Sequence, residues 1–143
     1  MIAVDTNLLV YAHRSSLSEH RSARAALERA SDDRRGWGIT LATVAEFWSV
    51  VTHRAAVRPS TGEEATTFLA ALKTDGGMQV WTPGLGFDDR LLQLAADLTV
   101  AGGRVFDLQI ALTAFEHGAS EIWTHDQGFA TIPGLRVVDP LAR

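Results

Sequence analysis

The chain has 143 residues, no cysteine and a formal net charge of −4. A chain of this length can bury a substantial core without disulfide bonds, so we predict a single domain over residues 1–143. The absence of cysteine suits a reducing compartment, and we see neither a signal peptide nor the roughly 20 consecutive apolar residues of a membrane span. These features favour a cytoplasmic location and argue against a disulfide scaffold and against a membrane partner.

Short apolar stretches alternate with amphipathic ones along the whole chain. The apolar stretches predict strands at residues 1–4, 37–39, 79–81, 121–123 and 137–138. Helices are predicted from Thr6 or Asn7 onward, from Ser16 or Ser18 to residue 30, over 41–53, from 59 to about 75, from 88 to about 101, and over 105–117. This alternation predicts an α/β fold of three layers, in which helices flank a central, mostly parallel, five-stranded sheet.

Four acidic residues occupy positions that are unusual for surface acids. Asp5 and Asp126 follow predicted strands, where open α/β sheets bind their ligands. Glu46 and Asp107 are each flanked by apolar residues of a predicted helix. Unpaired acids are rarely buried, and no lysine or arginine directly neighbours these four, so we expect a divalent cation to balance their charge. Considered separately, each acid has an alternative role, either as a helix cap or as a solvent-exposed residue at an edge of the fold.

Four motifs contain these acids. They are DTNLLVYA at residues 5–12, TLATVAEF at 40–47, VFDLQIALTA at 105–114 and THDQGF at 124–129. In this order and spacing the sequence resembles a PIN domain, and specifically the VapC-type toxin of type II toxin–antitoxin pairs. The resemblance implies an endoribonuclease that depends on Mg²⁺, with Mn²⁺ as the alternative ion, and is inhibited by a cognate antitoxin protein.

The resemblance also implies roles for individual residues. Asp5, Glu46, Asp107 and Asp126 correspond to the acidic catalytic and metal-binding site. We predict that Asp5 and Asp107 bind the metal directly, and that Glu46 and Asp126 bind it directly or through water. Thr124 matches the hydroxyl that orients the last acid, and Asn7 matches a polar position that supports the metal ligands.

The RNA substrate and the protein partners are predicted from charge and exposed apolar residues. Residues 1–60 carry 8 basic and 6 acidic side chains, whereas residues 61–143 carry 5 basic and 11 acidic ones. We therefore predict RNA contacts by basic residues of the first half. The candidates are Arg14, Arg21, Arg24, Arg34 and Arg35. Leu17, Leu27 and Trp48 exceed the apolar residues that a thin core requires, which predicts a homodimer or a groove for an antitoxin helix. The alternative for each residue is an ordinary place in the core.

Two other functions compete with this interpretation. A phosphatase could use Asp5 as its nucleophile, but it would want a second aspartate at position 7, where Asn7 stands, and Lys73 is the only lysine available. The second alternative is an RNA-binding module with the PIN fold and no toxin role. The presence of all four acids favours the nuclease over this module.

Overall fold

The computed structural model describes residues 1–142, in which five strands form one sheet with the order β3-β2-β1-β4-β5. Every pairing is parallel, which confirms the predicted sheet. The central strand pairs on both sides, with Ile2 opposite Trp37 on one neighbour and Glu121 on the other. The strands are β1 (Ile2–Val4), β2 (Trp37–Thr40), β3 (Gln79–Trp81), β4 (Glu121–Trp123) and β5 (Arg136–Val138).

Six helices connect these strands within residues 1–142. Their starts follow from local capping: Thr40 accepts a hydrogen bond from the Thr43 N–H, and Thr61 forms a reciprocal capping box with Glu64. The second helix begins at His20 rather than at the predicted Ser16 or Ser18. The helices are α1 (Thr6–His13), α2 (His20–Asp32), α3 (Leu41–Val51), α4 (Gly62–Thr74), α5 (Phe87–Asp97) and α6 (Arg104–Glu116).

The core consists of two apolar clusters, one on each face of the sheet. Alternate residues of β1 point to opposite faces, so Ile2 and Val4 join one cluster and Ala3 joins the other. The first cluster contains residues of α1 to α4, and the second contains residues of α5 and α6. Helices therefore cover both faces, as three layers require. Leu27 lies in the first cluster and is 5% exposed, so the prediction that it is surplus to the core is wrong.

The parallel sheet determines where a site can form. Because all strands run the same way, their carboxyl ends share one edge, and the residues that follow β1 and β4 meet there. Asp5 follows β1, and Thr124 to Asp126 follow β4. Within residues 1–142, no helix combines the length and apolar character needed to cross a bilayer.

Candidate active site

Asp5 lies at the centre of the carboxyl edge and is only 7% exposed. Its Oδ1 accepts a hydrogen bond from the Thr6 N–H at 2.8 Å, so Asp5 itself caps α1. Helix α1 begins at Thr6, one of the two predicted starts, and Asp5 takes the helix-cap role that was the alternative for it. The other oxygen, Oδ2, accepts hydrogen bonds from Thr124 Oγ1 at 2.7 Å and from Asn7 Nδ2 at 3.2 Å. These donors fix the orientation of the carboxylate.

The environment of Asp5 stabilises the neutral form of its carboxyl group more than water does. Burial raises the pKa of Asp5 from 3.8 to about 6. The hydrogen bonds from Thr124 and Thr6 oppose this rise, while the negative charges of Glu46 and Asp107 add to it. The repulsion indicates that Glu46 and Asp107 lie close enough to Asp5 to share an electrostatic environment with it.

Thr124 connects the two strand ends of the site. Its hydroxyl donates to Asp5 and accepts hydrogen bonds from Asn7 Nδ2 at 2.9 Å and from the Asp126 N–H at 3.1 Å. Asn7 Oδ1 also accepts a hydrogen bond from the His125 N–H at 3.2 Å. The structure thus brings the predicted Thr124 and Asn7 together between Asp5 and Asp126.

Removal of the Thr124 hydroxyl is expected to destabilise the protein at neutral pH. Thr124→Val keeps the shape of this buried side chain but leaves the Asp5 carboxylate and the Asp126 N–H each without one partner. We expect a loss of about 1–3 kcal/mol in the free energy of unfolding, measured by urea denaturation at pH 7.5 without metal.

The matched control for Thr124→Val is Thr113→Val. The Thr113 hydroxyl is also buried, but it donates to the Gln109 carbonyl of its own helix, away from the acidic residues. An equal stability loss in both variants would contradict a special role of Thr124 in holding Asp5.

Asp107 and Asp126 are joined by a residue that the sequence analysis missed. Arg104 Nη1 donates hydrogen bonds to Asp107 Oδ2 at 2.8 Å and to Asp126 Oδ2 at 3.0 Å. A basic residue that does not directly neighbour these acids in sequence therefore balances part of their charge. Hydrogen bonds from the Gly128 N–H and then from Arg104 lower the pKa of Asp126. The spacing of Arg104 and Asp107, three residues apart on one helix, was the only signal in the sequence.

The acids differ in exposure more than the sequence suggested. Glu46 is exposed on α3, and the side chain of Asp126 is 38% exposed. Asp107 is half-buried in the first turn of α6, where the helix dipole favours a negative charge. Only Asp5 is buried, so the prediction of four buried carboxylates is wrong. The site therefore combines one buried acid with acids that are partly or fully exposed.

The arginines predicted to bind RNA lie in different parts of the structure. Arg34 and Arg35 precede β2 and so lie at the amino edge of the sheet, opposite Asp5, where Arg35 pairs with Asp33. Arg14 donates to the backbone carbonyls of Arg58 and Val51. Arg21 and Arg24 are exposed on α2. The structure does not bring these five arginines together around the acidic site, and an RNA contact by them stays a prediction.

The acidic side chains suit a hard cation in chemistry but are not assembled around one position. Carboxylate oxygens are the ligands that Mg²⁺ and Mn²⁺ prefer. Yet in the part of the chain that the structure describes, no three Asp, Glu or His side chains are grouped so that they could hold a metal ion. The guanidinium of Arg104 instead binds two of the acids. The carboxylates therefore fit a divalent ion by their chemistry, while Arg104 occupies two of them.

Comparison with known proteins places the chain in a family. Residues 2–135 match the model of the PIN domain, so the chain belongs to the PIN-domain family. Ribonuclease VapC43 of Mycobacterium tuberculosis is 34% identical over 142 residues, with 99% of this chain and 96% of that protein covered. A VapC ribonuclease of Mycobacterium bovis has the same identity and coverage. Within the PIN-domain family, the chain thus belongs with the VapC ribonucleases, which generally depend on a divalent metal ion.

Solved structures share the fold at lower sequence identity. The toxin VapC20 of Mycobacterium tuberculosis, described as cleaving the sarcin–ricin loop, superposes with a TM-score of 0.68 at 13% identity, covering 92% of this chain and 98% of that one. VapBC2 from Rickettsia felis, solved with a fragment of promoter DNA, gives a TM-score of 0.69 at 21% identity, covering 96% and 98%. These likenesses support the fold alone.

Proposed function

We propose that this protein is the toxin of a toxin–antitoxin pair and acts as a Mg²⁺-dependent endoribonuclease, with Mn²⁺ as a possible substitute. The observation that carries this proposal is the convergence of Asp5, Asp107 and Asp126 at one sheet edge, with Asp5 oriented by Thr124 and Asn7. The 34% identity to VapC ribonucleases over nearly the whole chain supports the same activity.

The reaction follows from the chemistry of the site. A divalent ion bound there would lower the pKa of water and offset charge on the scissile phosphate. Asp5 and Asp107 would hold the ion directly, while Glu46 and Asp126 would hold it directly or through water. Attack by water forms a new P–O bond and breaks the bond to the 3′-oxygen. The products are a 5′-phosphate and a 3′-hydroxyl.

An antitoxin is the proposed protein partner. The solved neighbours include toxin–antitoxin complexes of the VapBC and FitAB type, which supports such a partner here. Asp107 and Asp126 already accept one guanidinium, so a basic side chain of an antitoxin could replace the charge of the metal.

A homodimer is the second proposed assembly. Leu41 and Trp48 of α3 are 51% and 47% exposed, and Phe106 of α6 is 63% exposed. Large apolar side chains exposed to this extent favour a protein–protein interface. Light scattering on the purified protein measures this directly, and a monomeric mass would contradict the homodimer.

Cleavage of RNA with and without a chelator tests the proposed function. We expect labelled RNAs of varied sequence and structure to be cut in the presence of Mg²⁺ or Mn²⁺, with 5′-phosphate ends, and to remain intact with excess chelator. An RNA-binding module without toxin role would bind these RNAs but cut none of them under either condition. Undiminished cleavage in chelator would contradict the metal-dependent reaction.

A further inference from the structure

Arg104 is the basic residue of the acidic site. Among residues 1–142, no other lysine or arginine forms an ion pair with Asp107 or Asp126. A single nitrogen, Nη1, donates to one oxygen of each carboxylate, at 2.8 and 3.0 Å. Such charge-assisted hydrogen bonds are stronger than neutral ones and hold the two acids against one positive charge.

Gly128 creates the space that Arg104 occupies. A Cβ built on Gly128 would collide with Arg104 Nη2, and it would approach Asp126 Oδ1 to 3.5 Å. The Gly128 N–H donates to that same Asp126 oxygen at 2.8 Å. The loop after β4 therefore binds Asp126 with its backbone and leaves room for the guanidinium above it.

The guanidinium and a divalent ion cannot use the same oxygens together. Asp107 Oδ2 already accepts hydrogen bonds from Arg104 and from the Ala130 N–H at 3.2 Å. A divalent ion at these carboxylates would find their oxygens already hydrogen-bonded. The positive charge of Arg104, a few ångströms away, would also repel the ion. Arg104 thus occupies two of the acids that a divalent ion would need.

Arg104 also has free hydrogen-bonding capacity. Its side chain is 49% exposed, and its Nε and Nη2 make no hydrogen bond to any other described residue. A planar guanidinium with free N–H groups is suited to a phosphate. Arg104 opens α6 three residues before Asp107, so its free N–H groups lie beside the acids that would hold the ion.

We propose that Arg104 is an internal counter-cation that competes with the divalent ion for Asp107 and Asp126, and that its released guanidinium then binds the phosphate of the RNA. The competition depends only on the site's own residues. The phosphate contact rests on the proposed ribonuclease function. Arg104 thus keeps the acids together without metal and contributes to substrate binding when metal is present.

Calorimetric titration with Mn²⁺ tests the competition. We expect Arg104→Gln to bind Mn²⁺ about three- to tenfold more tightly than the wild type, because the competing charge is gone. Gly128→Ala should also tighten Mn²⁺ binding, because the new Cβ displaces the guanidinium while the arginine remains. The matched control is Arg90→Gln, which breaks the exposed pair of Arg90 with Glu116, away from the acidic residues, and should leave Mn²⁺ affinity unchanged.

The same variants separate the two parts of the proposal. At saturating Mg²⁺, Arg104→Gln should lower kcat/KM for RNA cleavage about tenfold, mostly through KM, and Arg104→Lys should restore part of this loss. Unchanged, weaker or absent Mn²⁺ binding in Arg104→Gln would overturn the competition. Unchanged kcat/KM would overturn the phosphate contact. If no variant cuts RNA but the order of Mn²⁺ affinities is as expected, the ribonuclease function fails and the competition stands.

Discussion

Asp107→Asn is expected to reduce RNA cleavage by about a thousandfold or more while leaving the fold intact. The substitution keeps the shape of the side chain but removes the charge that would hold the metal, and a bound metal contributes several kcal/mol to the transition state. Asp5→Asn should have a comparable effect. The measurement is single-turnover cleavage of labelled RNA at saturating Mg²⁺, with circular dichroism to establish folding.

Asp97→Asn is the matched control for Asp107→Asn. Asp97 ends α5 and accepts a hydrogen bond from Gln93, and it makes no ion pair within residues 1–142. Its replacement should leave cleavage unchanged. Cleavage at the wild-type rate by Asp107→Asn, in protein free of contaminating nuclease, would show that this acid does not belong to the active site.

The metal-free protein is expected to be less stable at pH 7.5 than at pH 5.5. The folded-state pKa of Asp5 is about 6, above its ordinary value of 3.8, so the native state binds the extra proton. A raised folded-state pKa gives stability that is complete below the unfolded-state pKa and is lost as the pH rises through the folded-state pKa. Between pH 5.5 and 7.5 this loss amounts to about 1 kcal/mol in the free energy of unfolding.

The Asp5→Asn variant and added Mg²⁺ distinguish the titration of Asp5 from the titration of other groups. The asparagine variant cannot lose the proton, so its metal-free stability should change less between the two pH values. Mg²⁺ should stabilise the wild type at pH 7.5, because the ion binds only the native state, and should do little for Asp5→Asn. Urea denaturation at both pH values, with chelator or Mg²⁺, measures all four conditions. An equal pH dependence in wild type and Asp5→Asn would contradict the assignment to Asp5.

The sheet could be predicted from the sequence because its strands are short, apolar and separated by amphipathic helices. The central β1 is buried on both faces, so it shows a continuous apolar run that ends at the first polar residue, Asp5. The edge strand β5 is largely exposed and is still correctly placed, because Val137 and Val138 are β-branched. The helix starts were less predictable, since Glu19 precedes α2 without a side-chain cap.

The charge balance of the site could not be predicted, because it depends on contacts distant in sequence. Arg104 and Asp126 are 22 residues apart, and only the fold brings the loop after β4 against the start of α6. Glu46 was expected to be buried because apolar residues flank it. On α3, however, those neighbours point in several directions, so Phe47 is buried while Trp48 is 47% exposed.

The most direct test of the acidic metal site is a crystal structure with Mn²⁺, measured at a wavelength where manganese scatters anomalously. We expect an anomalous peak within bonding distance of carboxylate oxygens of both Asp5 and Asp107, with the Arg104 guanidinium moved away from Asp107. A peak at other residues, in crystals of protein that cuts RNA with Mn²⁺, would contradict the assignment of these acids as the metal-binding and catalytic site.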